Sequence, residues 1–311
     1  MNNSKFTIIT FYQFKITDNL EKQKTILRDF CFFHKIRGTI LIANEGINGT
    51  LAGLMEPIEL LLKEFKKIGF ENLELKCSSH KYMPFNRLKI KIKKEIITFS
   101  GVNLNVEKNT GKHIKTNKWN SFIRHKKTLV IDVRNDFENK IGSFKGAVNP
   151  KTKNFSEFKN YVDNILSKNK KKNIAMFCTG GIRCEKASSY MISKGFNNIY
   201  QLKGGILKYL ADIPKEKSTW EGECFVFDNR VSVQNELVEG TYELCHGCRY
   251  PLSIEDRKSS QFKEGITCPK CYDKVSVIKK LKLEERNKQI KISKKRGLYN
   301  PYIKFTPANF Y

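Results

Sequence analysis

The sequence predicts an α/β protein in three parts: an N-terminal α+β module, a central doubly wound parallel sheet and a small C-terminal metal-knuckle region. Three observations predict it. Between Thr128 and Leu202 strand-like and helix-like segments alternate, the pattern of a parallel sheet covered on both faces. Ahead of them, residues 5–99 read β-α-β-β-α-β. Behind them, two Cys-x-x-Cys pairs stand 19 residues apart. The parts divide as 1–102, a linker at 103–118, a central domain at 119–215, a Cys-rich region at 216–280 and a basic tail at 281–311.

The first module opens with residues 5–14, rich in β-branched and aromatic types, as a strand. Asp18 is the expected N-cap of a helix carrying Leu20, Ile26, Leu27 and Phe30. A strand from Thr39 to Ala43 runs into a turn containing Gly46, Gly49 and Gly53. A second helix spans about Pro57 to Ile68, with Leu60, Leu61, Leu62 and Phe65 spaced for burial. Strands follow around Leu73–Cys77 and Arg87–Phe99. This order is that of a ferredoxin-like, acylphosphatase-like module. It shows no catalytic constellation, and the segment Asn44 to Thr50 reads as a contact loop or a tight structural turn.

After a polar stretch from about Asn103 to Lys118, the central domain opens with the strand Thr128 to Arg134. A helix at Phe155–Ser167 and a basic loop (Lys168, Lys170, Lys171, Lys172) follow. A buried strand Asn173–Phe177, a helix Cys184–Lys194 and a strand Asn198–Leu202 complete the pattern.

Cys178-Thr179-Gly180-Gly181-Ile182-Arg183-Cys184 sits where a parallel strand ends and a helix begins, the place where open α/β sheets bind ligands. A helix N-terminus carries about half a positive charge and unpaired N–H groups, which stabilise a thiolate. The paired glycines let consecutive amides turn inward, and Arg183 adds a permanent charge. Together these lower the thiol pKa below its reference of about 8.5 and make Cys178 a nucleophile. Four residues separate Cys178 from Arg183, whereas protein phosphatases place five in the equivalent loop. The shorter loop fits a persulfide sulfur better than a phosphate. Cys184 reads as a resolving thiol or as a residue packed beneath the loop; Cys224 is similarly ambiguous, and Cys31 and Cys77 read as bystanders.

Cys245-His246-Gly247-Cys248 and Cys268-Pro269-Lys270-Cys271 have the spacing of a closed structural zinc site with four thiolate ligands, Cys245, Cys248, Cys268 and Cys271. His246 is an alternative ligand. Nine cysteines, an odd number, with no export signal at the start favour metal ligation or catalysis over disulfides. No apolar run approaches the roughly 20 residues needed to cross a bilayer, so a cytoplasmic protein with no membrane partner is expected. The formal net charge of +27 suits a polyanionic partner. Part of it also reflects a Lys- and Asn-rich composition. From Lys279 to Arg296 there are nine Lys/Arg and two Glu, a solvated helix or an RNA-contacting one.

At these residues the chain resembles known families. Residues of about 120–215 resemble a rhodanese domain, with Asp132-Val133-Arg134 similar to its early Asp-x-Arg element and Gly204-Gly205-Ile206 to its late Gly-Gly turn. Nearly the whole sequence resembles the bacterial rhodanese-domain tRNA uridine hydroxylases. The likeness covers Glu45 to Thr50, Lys93 to Thr98, Trp119-Asn120, Asp132 to Asn135, Cys178 to Lys186 and Trp220 to Asp228; Phe137 departs from an expected Tyr. The resemblance implies formation of 5-hydroxyuridine at the wobble position of tRNA, with O2 as co-substrate, the anticodon loop as partner and Cys178 essential.

His34, His80, His113, His125 and His246 form no two-His-one-carboxylate spacing, and no flavin, haem or nicotinamide motif is seen. No motif names the reductant. The reading that follows is a thiolate or persulfide at Cys178 that adds to the uracil ring and raises electron density at C5. Two others compete: a sulfurtransferase passing persulfide sulfur to a thiol or tRNA acceptor, and an RNA-binding adaptor on an inactive rhodanese fold, against which the intact Cys178 and Arg183 count.

Overall fold

Alternation along the first strand divides its side chains between two surfaces. In β1 (Phe6–Phe14), Ile9 and Phe11 enter a buried apolar cluster, while Thr10 and Tyr12 face the opposite way into a cavity. The computed structural model that displays this describes residues 5–99, 101, 104–296 and 310. β1 is followed by α1 (Leu20–Phe33), β2 (Arg37–Ala43), β3 (Gly46–Gly53), α2 (Met55–Lys67), β4 (Glu74–His80) and β5 (Leu88–Ile92). The sheet order is β4-β1-β3-β2-β5, antiparallel but for β5, which adds in parallel beside β2. The first four strands keep the ferredoxin-like order. Helices α1 and α2 cover one face with Leu27, Cys31, Ile58, Leu61 and Phe65.

The second sheet uses β6 (Lys112–Ile114), β7 (Thr128–Asp132), β9 (Asn173–Phe177) and β10 (Ile199–Leu202), all parallel, in the order β6-β10-β9-β7. Between them lie α3 (Thr116–Ile123), α4 (Asp136–Asn139), β8 (Gly142–Phe144), α5 (Phe158–Asn164) and α6 (Ile182–Ser193); α7 (Gly205–Asp212) follows β10. Residues of β7 and β9 alternate between the faces. Ile131, Ile174 and Met176 join a cluster with α5 and α6, whereas Val130, Ala175 and Phe177 join one with Trp119 and α7. That two-sided burial is the doubly wound arrangement.

The remainder carries short strand pairs: β11 (Trp220–Gly222) with β8, β12 (Cys224–Phe225) with β13 (Ser232–Val233), and β14 (Glu243–Leu244) with β15 (Pro251–Leu252). Helices α8 (Ile254–Lys258) and α9 (Val277–Lys295) follow. Among the described residues no helix is long and apolar enough to cross a membrane.

Several expectations are corrected. The cap of α1 is Asn19 in a left-handed conformation with no side-chain cap bond, not Asp18. The glycine-rich segment after Ala43 is not a turn: Gly46–Gly53 is strand β3, paired on both sides. Gly49 is needed there because a Cβ would lie 2.7 Å from both the Phe11 ring and the Thr39 carbonyl oxygen. The strand expected over Arg87–Phe99 ends at Ile92. The stretch expected as a linker contains β6 and the start of α3, so its C-terminal half belongs to the second sheet. The helix expected at Phe155–Ser167 is broken into 3₁₀ turns flanking α5. The basic tail is helical in α9; beyond Arg296 it lies outside the described residues except for Phe310, whose ring packs edge-on against Phe6 at 5.0 Å.

Candidate active site

The loop after β9 wraps its own sulfur. Gly181 takes φ +102°, which turns its amide back so that N–H donates to Cys178 Sγ at 3.2 Å. The N–H groups of Arg183 and Cys184, at the start of α6, and the Cys184 thiol add hydrogen bonds. Burial alone would push the Cys178 thiol up. The Cys184 hydrogen bond, the Arg183 charge and the amides outweigh it and bring it down to about 6. Cys184 itself is pushed well above the usual thiol range by burial and by its neighbour, so it stays protonated as a donor.

Arg183 is not a free charge. Its guanidinium forks onto Glu138 at 2.6 and 2.8 Å, and Thr179 Oγ1 bridges the two. Glu138 is fully buried, so the pair locks the far side of the loop to α4. Asp132 and Arg134 form a second buried fork, with Arg134 also donating to the Gly142 carbonyl at 2.6 Å. The late glycine turn fastens the loop from behind. Ile206 N–H donates to the Cys178 carbonyl and Leu207 N–H to that of Thr179, at 3.0 and 3.1 Å. Gly205, at φ +69°, has no room for a Cβ, which would stand 2.6 Å from the Cys178 oxygen.

The front of the loop faces the first module. Gly180 packs beside Thr10, and Gly181 lies against the Tyr12 hydroxyl. Tyr12 donates to Glu185 Oε1 at 3.0 Å, and Glu185 also meets Thr110, His113 and Gln201. Between the loop and the β1–β2–β3 surface opens a cavity of about 510 Å³. Its walls include Cys178, Ile182, Thr10, Asn48, Leu41 and Phe227. That volume suits a small ligand or a single extruded nucleotide. One signal was available: Phe6, Ile8, Tyr12 and Phe14 alternate with Ile9 and Phe11, so both faces of β1 carry large side chains and each needs a partner.

Behind the cavity wall lies Lys76, 8% exposed, with no hydrogen-bond partner for Nζ among the described residues. The amine sits 4.6 Å above the Tyr12 ring. Burial lowers it to about 8, against the pull of Glu74, Cys178 and Glu185. Its small recess shares Thr10, Leu207 and Arg230 with the cavity. Sequence reading missed it, since a single lysine in a lysine-rich chain carries no signal.

The four predicted knuckle cysteines meet. The sulfurs of Cys245, Cys248, Cys268 and Cys271 all lie within 4.8 Å of one another. Cys245–Cys271, Cys248–Cys268 and Cys268–Cys271 are 3.8, 3.7 and 3.8 Å apart. A tetrahedron with roughly 2.3 Å metal–sulfur bonds has edges of about 3.8 Å, so the cluster can hold a metal ion with four soft donors. His246 is not in the cluster. Cys224 and Cys31 are buried and both pushed up to about 12 by burial, whereas Cys77 is exposed.

Two family models agree with this architecture. Residues 6–96 match the UPF0176 acylphosphatase-like domain, and residues 116–212 match the rhodanese-like domain. A tRNA uridine(34) hydroxylase of Teredinibacter turnerae is 46% identical over 295 residues, covering 94% of this chain and 92% of that protein. One from Pelagibacter ubique is 46% identical over 294 residues, covering 94% and 96%. Among solved structures, a rhodanese-like domain from Anabaena sp. is 19% identical, with a TM-score of 0.31, and covers 36% of this chain and 80% of its own. On the two full-length likenesses, the chain belongs to the tRNA uridine(34) hydroxylase family.

Proposed function

We propose that this protein hydroxylates C5 of the wobble uridine of tRNA, with Cys178 as the reactive thiolate. The observation that carries the reading is the position of Cys178: a sulfur lowered to about 6 on the wall of a cavity closed by both modules. Membership of a family whose relatives bear that name supplies the reaction.

In this reading the anticodon loop presents an unstacked uracil to the cavity, as single-stranded RNA bases are commonly read. The thiolate adds to C6, forming an S–C bond, and the C5=C6 electron pair moves toward C5 and the O4 carbonyl. Electron-rich C5 then takes one atom of O2. The other atom leaves as water with two electrons and two protons from a two-electron reductant. Loss of the C5 proton and release of the thiolate restore the ring. Gly181 and the α6 amides hold the sulfur charge before attack and after release. The Cys184 thiol, six residues on from Cys178, serves as donor to that sulfur and is the available resolving thiol if it becomes oxidised.

The +27 charge and the Lys/Arg-rich α9 supply phosphate contacts for tRNA. Cys245, Cys248, Cys268 and Cys271 would hold a structural zinc ion that would fix the knuckle.

Nucleoside mass spectrometry of tRNA from cells with and without the gene tests the function. Loss of 5-hydroxyuridine-derived wobble nucleosides, restored by wild type but not by Cys178→Ser, is the expected result. Loss of thiolated nucleosides instead would mean sulfur transfer, and Cys178→Ser supporting normal 5-hydroxyuridine would remove the cysteine from the reaction.

A further inference from the structure

An exposed aromatic side chain stands at the rim of the active cavity on a turn that is buried but for it and Asn229. Phe227 is 64% exposed, yet Phe225, Val226, Asp228, Arg230 and Val231 beside it are all buried. The turn is braced. Val226 N–H donates to the Val231 carbonyl at 2.9 Å, and Asp228 accepts from the Arg230 amide and from its guanidinium at 2.9 and 2.6 Å. It is also pinned to the first module: Arg230 Nη1 donates to Ser78 Oγ at 3.2 Å, and Asn229 N–H donates to the Pro84 carbonyl at 2.9 Å. The Phe225 and Phe227 rings meet at right angles with centroids 5.0 Å apart, and the exposure of Phe227 leaves ring surface open to a partner.

We infer that Phe227 is a stacking platform for the base next to the target uridine in the anticodon loop. The inference rests on the proposed tRNA substrate. A base that enters the cavity breaks its stack with its neighbour, and that neighbour is left at the rim with an unpaired face. A ring held by a braced turn offers a replacement stack with little conformational entropy to lose. Phe227 touches no reacting atom in this arrangement and acts as a positioning residue. Among the described residues nothing covers the ring.

The test is a double-mutant cycle on binding of a synthetic anticodon stem-loop with uridine at the wobble position. Phe227→Ala should raise Kd about tenfold, the loss of one base–aromatic stack. Phe227→Trp should bind as wild type and Phe227→Leu should not, since apolar area alone does not stack. Replacing one flanking nucleotide by an abasic unit should weaken wild type equally and leave Phe227→Ala unaffected. Full additivity of Phe227→Ala with abasic units at both flanks would overturn the inference, as would wild-type binding by Phe227→Leu. A thermal melt of each variant separates a folding defect from a lost contact. Wild-type 5-hydroxyuridine formation in complemented cells is scored separately: its absence would remove the proposed reaction, whereas the cycle reports on Phe227 alone.

Discussion

Lys186 Nζ lies 2.6 Å from Glu95 and 2.8 Å from Glu45, with its side chain 1% exposed. Lys186 rides on α6, directly behind the cysteine loop, and both carboxylates belong to the first module. Glu45 also accepts the Ile96 N–H, and Glu95 those of Phe99 and Gly101. The motifs around residues 45 and 95 thus clamp the first module onto the helix that presents Cys178. Lys186→Met should lower stability by roughly 3 kcal/mol, the low end for breaking a buried pair, because both carboxylates keep some water. Burial would raise Glu95, but Lys186 and the two amides hold it below its ordinary value. A depressed carboxylate stabilises the fold above its unfolded pKa of about 4.3, and that contribution is lost as pH falls through the folded value. Denaturant melts should therefore show a wild-type advantage at pH 7 that shrinks below pH 4; an equal gap at both would detach the ion pair from the effect.

The parallel sheet and its loop were legible because their signals are local. Strand Asn173–Phe177 carries the apolar run Ile174 to Phe177 just before a Gly-Gly turn, and its bounds match those read from sequence. Strand β3 was illegible because its glycines, usually punctuation, are there to let Phe11 and β2 approach closely. The partners of the cysteine loop were illegible for a different reason. Tyr12 and Glu185 are 173 positions apart, and nothing in one sequence couples them. Only the large side chains on both faces of β1 hinted at a second wall.

The Cys178 thiolate should titrate near pH 6. Alkylation by a small haloacetamide should rise with pH and reach half its plateau at about 6. Arg183→Gln should move that midpoint upward, since it removes a charge that favours the thiolate. The Cys184→Ala variant should do the same by removing a hydrogen bond. A midpoint near the ordinary value of about 8.5 in wild type would show that the loop amides fail to outweigh burial.

Metal analysis of the folded protein should give close to one zinc per chain. Cys268→Ser should remove most of it, and chelation of wild type should do likewise. The knuckle cluster contains little besides the cysteines, Leu252 and partly buried Tyr250, Phe262 and Val275. Without metal that is too small a core to hold. Hydrogen exchange should then speed up across residues 243–275 while β7, β9 and β10 stay protected. Uniform loss of protection would mean that the cluster supports the whole chain.

Lys76 offers a case in which stability and function should part. An ammonium buried without a hydrogen-bond partner costs the fold free energy, so Lys76→Met should stabilise it by about 1–3 kcal/mol at pH 7. The sign follows from the lowered value of about 8 against roughly 10.4 in the unfolded chain. A lysine depressed by folding destabilises the native state fully below its folded pKa, and the penalty fades as pH rises toward the unfolded value. The gain from Lys76→Met should therefore be full at pH 7 and nearly gone at pH 10. A chain that keeps such a costly amine behind the wall of its reactive cavity, beside Tyr12, retains it against stability, so the same variant should form less 5-hydroxyuridine in complemented cells. Thermal melts across that pH range, set beside nucleoside analysis, decide the matter. If Lys76→Met is destabilising, the amine has a stabilising role in the fold; if it is stabilising and fully active, the site does not use its charge.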